Sequence, residues 1–112
     1  MIRISVKKAA IQKIKALKKA FTINILKNKD QVTGYQISYS YKKNFKGQKV
    51  KDLKKFKYKK IRVKRKKYTI TSYKVKGLKR KKTVYVRVRA YKQVGKTKVY
   101  GKWSSVKKVK IK

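Results

Sequence analysis

Apolar and polar residues alternate along most of the chain, which is the pattern of half-buried β-strands. Alternating runs lie at 21–25, 35–41, 61–63, 73–75 and 109–111. Polar breaks at 27–30, 44–48, 64–67, 79–82 and 93–97 separate the runs. The clearest run places Val84, Val86, Val88 and Ala90 on one strand face and Tyr85, Arg87, Arg89 and Tyr91 on the other. Short strands separated by such breaks predict an all-β sandwich or small barrel.

Two segments have more than one interpretation. Apolar residues in 8–21 also fit helical spacing, but Phe21 begins an alternating run, so a strand followed by a turn is favoured over a basic amphipathic helix. In the Lys-dense segment 46–60, Val50, Leu53 and Phe56 are spaced by three residues. Because like charges crowd this segment, a mobile loop is favoured over a helical turn.

The charge is almost entirely of one sign, with 40 Lys and Arg against 2 acidic residues, a formal net charge of +38. Asp30 and Asp52 are the acidic residues, so almost no basic side chain can find an ion-pair partner within the chain. Repulsion on this scale opposes compaction. We therefore expect the fold to depend on counterions or a polyanion, with β-type circular dichroism that sharpens as either is added.

The composition argues against catalysis. The chain has no His and no Cys from which to build a nucleophile and its base, or a zinc site. Asp30 and Asp52 are expected to be solvated turn residues, and none of the 34 lysines stands out as a nucleophile. The five glycines are scattered, so no phosphate-binding loop is present. The sequence predicts no enzyme activity, no metal and no cofactor.

Three segments resemble the fibronectin type III domains of bacterial cell-surface proteins. Residues 32–40 (VTGYQISYS) are similar to the family's third strand. Residues 77–91, which contain Gly77-Leu78 and TVYVRVRAY, are similar to its sixth strand and the approach to it. Residues 100–111, which contain YGKWS and then Val106, Val109 and Ile111, are similar to its last strand. The resemblance implies an immunoglobulin-like antiparallel sandwich of about seven strands over 11–112. Residues 1–10 would be an N-terminal extension or a truncated start, and 46–60 a Lys-rich insertion.

The chain departs from the family pattern at three points. The Trp of the family's second strand is replaced by Ile25 or Leu26. Val84 stands where the family has a corner Tyr, with Tyr85 on the opposite face, so the hydroxyl-to-backbone bond of that corner is expected to be missing. Prolines that blunt edge strands are absent, although lysines discourage edge pairing by another route.

One predicted strand face combines basic and aromatic residues, as polyanion-binding surfaces do. It carries Tyr85, Arg87, Arg89 and Tyr91, to which neighbouring strands would add Lys98, Tyr100 and Lys102. The ordinary solvent face of a sandwich explains the same residues and is favoured. Trp103 is likewise expected to pack at the sheet edge rather than to serve as a ligand platform.

The leading hypothesis is an extracellular or cell-surface module, monomeric within a longer chain, whose lysines hold it near anionic wall polymers or polysaccharide. The alternative is a cytoplasmic, RNA-associated protein that binds nucleic acid non-specifically, although Lys outnumbers Arg 34 to 6 and base readout favours Arg. A basic membrane-surface segment at 8–21 ranks third. No apolar run is long enough for a membrane span. Met1–Ala10 lacks the apolar core of a signal peptide, so a secreted protein would require a longer chain or a misplaced start.

Overall fold

The computed structural model describes residues 6–28 and 31–112, and these form nine β-strands with no helix. In chain order the strands are β1 (Ile11–Leu17), β2 (Ala20–Leu26), β3 (Gly34–Ser40), β4 (Lys49–Leu53), β5 (Lys59–Val63), β6 (Lys66–Lys76), β7 (Thr83–Val94), β8 (Thr97–Tyr100) and β9 (Lys107–Lys110).

The strands form two antiparallel sheets. The four-stranded sheet has the order β1-β2-β6-β5, and the five-stranded sheet has the order β4-β3-β7-β8, with β9 also paired to β7. β8 pairs with the end of β7 (Tyr91↔Tyr100) and β9 pairs with its beginning (Val84↔Val109). The long strand β7 therefore has β3 along one side and both final strands along the other.

The core consists of the alternating apolar residues that the sequence predicts. Both sheets contribute fully buried side chains, among them Phe21, Ile23 and Ile25 of β2, Tyr35 and Ile37 of β3, and Val84, Val86 and Val88 of β7. Side chains of alternate strand residues point to the same face, so each strand presents one apolar row to the other sheet. The expected all-β sandwich is confirmed, with nine strands rather than about seven.

The two ambiguous segments have different outcomes. Residues 11–17 and 20–26 form β1 and β2 around a turn at 18–19, which confirms the strand-plus-turn interpretation. The prediction of a mobile loop over 46–60 is wrong, because this segment contains β4 and the start of β5. Strand β4 is an edge strand that pairs with β3 alone (Ser38↔Val50), so its lysines remain in water while its backbone is paired.

The segment before β1 belongs to the packed unit. Ala9 is buried in the core and Val6 packs against it. A Cβ atom on Gly101 would lie 2.8 Å from the Lys7 carbonyl oxygen, so the backbone of this segment passes directly over the end of β8. The described part of the predicted N-terminal extension is therefore seated on the sandwich.

The expected departures at the family's conserved aromatic positions have structural counterparts. Ile25 is fully buried where the family has Trp, and Val84 is fully buried at the corner position. A different tyrosine serves the loop before β7: the Tyr41 hydroxyl accepts a hydrogen bond of 3.0 Å from the Lys79 N–H. This bond ties the end of β3 to that loop.

Candidate polyanion-binding face

The predicted stripe lies on the outer face of the five-stranded sheet. Strand β3 supplies its neighbours, since Gln36 pairs with Arg89, Ser38 with Arg87 and Gly34 with Tyr91. Cross-strand partners share a sheet face. The structure therefore brings Tyr85, Arg87, Arg89 and Tyr91 together on one side, away from the core.

The two arginines of the stripe are stacked between aromatic rings. The Arg87 guanidinium carbon lies 4.1 Å from the Phe45 ring centre and 4.5 Å from that of Trp103. The Arg89 guanidinium carbon lies 4.4 Å from Trp103 and 3.8 Å from Tyr100. The resulting order is Phe45, Arg87, Trp103, Arg89, Tyr100, which we call the arginine–aromatic stack. Each guanidinium face is thus used by a ring of the same chain.

An irregular segment between β8 and β9 holds Trp103 over the arginines. The Gly101 N–H donates to the Ala90 carbonyl at 2.9 Å, and the Ser104 N–H donates to the Val88 carbonyl at 2.7 Å. The Val88 N–H donates in return to the Ser104 hydroxyl at 2.9 Å. Because the hydroxyl replaces a strand partner, the backbone leaves regular pairing without leaving β7 unsatisfied. The Trp103 ring projects from the middle of this segment.

The edges of the arginines are engaged as well. Arg89 Nε donates to Gln36 Oε1 at 2.9 Å, and an Arg87 terminal nitrogen donates to Gln48 Oε1 at 3.3 Å. Burial, and then the nearby charge of Arg89, lower the pKa of Arg87 below its ordinary value. The rings therefore cover the guanidinium faces and each arginine donates to one glutamine, while Arg87 Nε is buried without a hydrogen-bond partner.

Tyr91 is fully buried, which differs from its expected place on an exposed stripe. Its side chain lies across Gly34 of β3, and its hydroxyl donates to Asp52 Oδ1 at 2.7 Å. Lys98 covers it, with Nζ 4.9 Å from the ring centre and 3.3 Å from Asp52 Oδ2. The expectation that Asp52 is a turn residue is wrong, because Asp52 lies in β4, where it is exposed and links that strand to β7 and β8. Asp30 lies outside the described residues.

The remaining residues of the predicted face lie toward its margins. Tyr100 ends the arginine–aromatic stack and is 40% exposed, whereas Tyr85 is half-buried. Tyr85 borders a shallow depression of ≈ 390 Å³ with Lys43, Val106 and Lys108. Lys102 is exposed. The predicted residues of β7 and β8 therefore share one face, but the seven residues do not form one continuous exposed binding surface.

Sequence reasoning did not include Phe45 or the two glutamines that complete this face. Phe45 lies in the β3–β4 loop at a φ of 63°, where it is buried against Arg87. Its one signal in the sequence is a single aromatic residue in the polar break 44–48. Trp103 packs against both arginines, in agreement with the packing interpretation rather than a free ligand platform.

Three tyrosine hydroxyls have pKa values raised above the ordinary 10.0, namely those of Tyr39, Tyr58 and Tyr91. Burial is the largest cause at each position, because it disfavours the charged phenolate. The hydrogen bond to Asp52 adds to the effect at Tyr91, and the bond of 2.6 Å with the Tyr35 hydroxyl adds to it at Tyr58.

We expect these three hydroxyls to stay protonated in the folded chain above the ordinary pKa of 10.0 and to ionise together with unfolding. A folded-state pKa above the unfolded value means that the stabilisation is complete below the unfolded pKa and is lost as the pH rises through the folded pKa. Tyrosinate absorbance measured alongside circular dichroism checks this. Ionisation of these three hydroxyls near pH 10 with an unchanged β-spectrum would contradict it.

The lysines lie almost entirely in water. Of those that the structure describes, Lys98 is half-buried and forms the ion pair with Asp52, and the others are exposed. The exposed lysines cover both sheets, the edge strands and the loops. The positive charge is therefore a property of the whole described surface and is not concentrated on the predicted stripe.

Within residues 6–28 and 31–112, no three His, Cys, Asp or Glu side chains come together as a metal site. The same part of the chain contains no helix long and apolar enough to cross a membrane.

Comparison with known proteins supports the fold and does not assign a family. No family model matches the sequence, and no curated protein matches it. Fifteen chains of solved structures match. One of them, described as "Myokine structure", has a TM-score of 0.66 and 16% sequence identity, covering 96% of this chain and 98% of that chain. The fold is a fibronectin type III-like β-sandwich. At this level of identity, the likeness is one of fold alone.

Proposed function

We propose that this chain is a non-catalytic structural or adhesion module that binds anionic polymers through the charge density of its lysine surface. The observation that carries the proposal is that all of the described lysines except Lys98 are exposed, with one ion pair among the described residues. Exposed lysines bind polyanions by displacing the counterions condensed on the polymer, whatever the polymer sequence.

The arginine–aromatic stack favours a mode of binding that depends on charge density rather than on a shaped recognition site. Sequence-specific readers use the planar edge of Arg to contact a base or a phosphate. Here the rings and the glutamines engage Arg87 and Arg89, so the exposed cations are mainly lysines, which act as point charges. We place the module at a bacterial cell surface, in a larger protein, with anionic wall polymers or polysaccharide as its partners.

Binding titrations at several salt concentrations test the proposal. We expect heparin, a teichoic-acid-type polymer and single-stranded nucleic acid to bind with comparable affinity. If the chain makes six to ten phosphate contacts, its affinity should fall by about 10³–10⁵ when the salt concentration rises from roughly 50 to 200 mM. Replacing Lys13, Lys15, Lys74 and Lys76 with Gln should reduce the salt slope, by about one for each of these lysines that binds a phosphate.

Lys98→Gln serves as a single-substitution control, to be compared with the effect per lysine of the variant above, because Lys98 is already paired with Asp52. We expect this variant to change the salt slope little. A preference for one RNA sequence that persists at high salt would contradict the proposal and favour the intracellular nucleic-acid-binding alternative.

A further inference from the structure

The β5–β6 hairpin extends beyond the end of the sandwich. β5 pairs with residues 66–70 of β6, whereas β2 pairs with residues 70–76, so Ile70 alone has a strand on both sides. The two-residue turn, Lys64 and Arg65, has positive φ at both positions, 49° and 70°. Such a turn matches the twist of a narrow two-stranded ribbon. The outer part of the hairpin is therefore a projecting ribbon, which we define as residues 59–70.

One face of this ribbon carries its apolar residues, together with Lys59 and Lys66, and continues the outer face of the four-stranded sheet. Ile61 lies opposite Tyr68, Lys59 opposite Ile70, and Val63 opposite Lys66, and cross-strand partners share a face. Leu26 of β2 lies opposite Ile70 from the other side. The apolar stripe therefore consists of Leu26, Ile70, Ile61, Tyr68 and Val63.

The stripe becomes more exposed toward the tip of the ribbon. Ile70 is 1% exposed, Ile61 and Tyr68 are half-buried, and Val63 is 40% exposed. Among the described residues, the three outer ones do not pack against the hydrophobic core. Their apolar surface at the tip faces outward, where another molecule could cover it.

The same ribbon is densely cationic. Seven of the nine residues from 59 to 67 are Lys or Arg, and none is acidic. Lys60 and Lys67 lie on the face opposite the apolar stripe, together with Arg62, while Lys64 and Arg65 form the tip. The ribbon is therefore amphipathic, with an apolar stripe flanked by Lys59 and Lys66 on its own face and by the other cations on the opposite face and at the tip.

We propose that the β5–β6 ribbon docks on an anionic lipid surface, with Val63, Ile61 and Tyr68 entering the boundary between headgroups and acyl chains. Interfacial segments bind by burying apolar area and by attraction to anionic lipid, and the ribbon offers both. A second copy of the chain is disfavoured as the partner, because it would bring an equal number of cations against those of the ribbon. A nucleic-acid groove would use the cations but would leave most of the apolar stripe without a matching surface. The proposal rests on the proposed polyanion binding and adds an insertion step to it.

A single labelled cysteine tests the insertion directly, because the chain has no Cys of its own. Val63→Cys carrying an environment-sensitive dye should shift to the blue and brighten on phosphatidylglycerol-containing vesicles, and should not respond to phosphatidylcholine vesicles. Val94→Cys is the matched control. Val94 is an exposed valine, 42% exposed, that precedes the turn of the β7–β8 hairpin as Val63 precedes that of the ribbon. Its dye should respond weakly.

An unlabelled variant separates insertion from charge. Ile61→Ser with Val63→Ser should weaken binding to the anionic vesicles about tenfold or more, because less apolar area is buried. It should leave heparin binding unchanged. If the chain binds heparin but the dye at position 63 gives no blue shift on anionic vesicles, insertion is refuted and the polyanion proposal stands.

Equal responses at positions 63 and 94 would also overturn the insertion step. If duplex DNA protects the dye at position 63 from solvent and vesicles give no response, the partner of the ribbon would be a nucleic-acid groove and not a lipid surface. Failure of the unmodified chain to bind heparin at low salt would instead refute the proposed function itself.

Discussion

Replacement of Gly34 by Ala should lower the free energy of unfolding by about 3 kcal/mol, as overpacking in a site that cannot relax does. A Cβ atom at this position would lie 2.6 Å from the Leu53 carbonyl oxygen of β4, and 2.7 Å from the Tyr91 hydroxyl oxygen. The first of these atoms belongs to the backbone and the second to a buried side chain. Neither group can move away without breaking interactions of its own.

The cost arises because Gly34 lies beneath the link between Tyr91 and Asp52. To make room, the Tyr91 ring must rise, which exposes a fully buried side chain and breaks its hydrogen bond to Asp52. A hydrogen bond to a charged acceptor contributes about 1.5–3 kcal/mol. Lys98, which pairs with Asp52, would at the same time be displaced from its place over the ring.

Denaturant unfolding at one fixed salt concentration measures this effect, because the net charge makes stability sensitive to salt. Gly47→Ala is the control, since it has a φ of 70° but no atom within 4 Å of the added Cβ. We expect that variant to be destabilised by about 1 kcal/mol from backbone strain alone. A destabilisation at Gly34 no larger than that at Gly47 would contradict the packing of Tyr91 over β3.

The sequence predicts the core well because alternation alone determines which side of a strand is buried. Val84, Val86 and Val88 are buried as expected, and so are Phe21 and Ile23. Each of these assignments needs only the two-residue period of a strand and one apolar face.

The sequence does not predict strand β4 or the beginning of β5, because their stability comes from pairing and not from burial. In Lys49–Leu53 only Leu53 is buried, and in Lys59–Val63 no residue is fully buried. Edge strands with lysines in water satisfy their backbone through one neighbour, and a single sequence does not reveal that neighbour.

The candidate face is predictable in part, because its residues share one side of β7. The burial of Tyr91 depends on the relative positions of four strands: Asp52 in β4, Gly34 in β3, Tyr91 itself and Lys98 in β8. The arginine–aromatic stack depends on an irregular segment that alternation does not describe. Both features arise from long-range pairing, to which periodicity is insensitive.

The second large effect should come from Trp103→Ala. We expect this substitution to lower the free energy of unfolding by about 3 kcal/mol, because it removes a large packed ring and two cation–π interactions. The Trp103 ring lies between Arg87 and Arg89, 4.5 and 4.4 Å from their guanidinium carbons. Its removal leaves two like charges on neighbouring positions of one sheet face, with water in place of the ring.

Graded variants, measured by denaturant unfolding, separate the stack from a simple reduction in side-chain volume. Trp103→Phe keeps a ring between the arginines and should cost about 1 kcal/mol, whereas Tyr100→Ala removes a terminal ring that stacks on one arginine and should cost less than Trp103→Ala. Arg89→Gln, measured alone and with Trp103→Ala, should show a coupling of about 1 kcal/mol, as groups that touch each other do. Additive effects of these two substitutions would show that the ring packs on the sheet without holding the arginines.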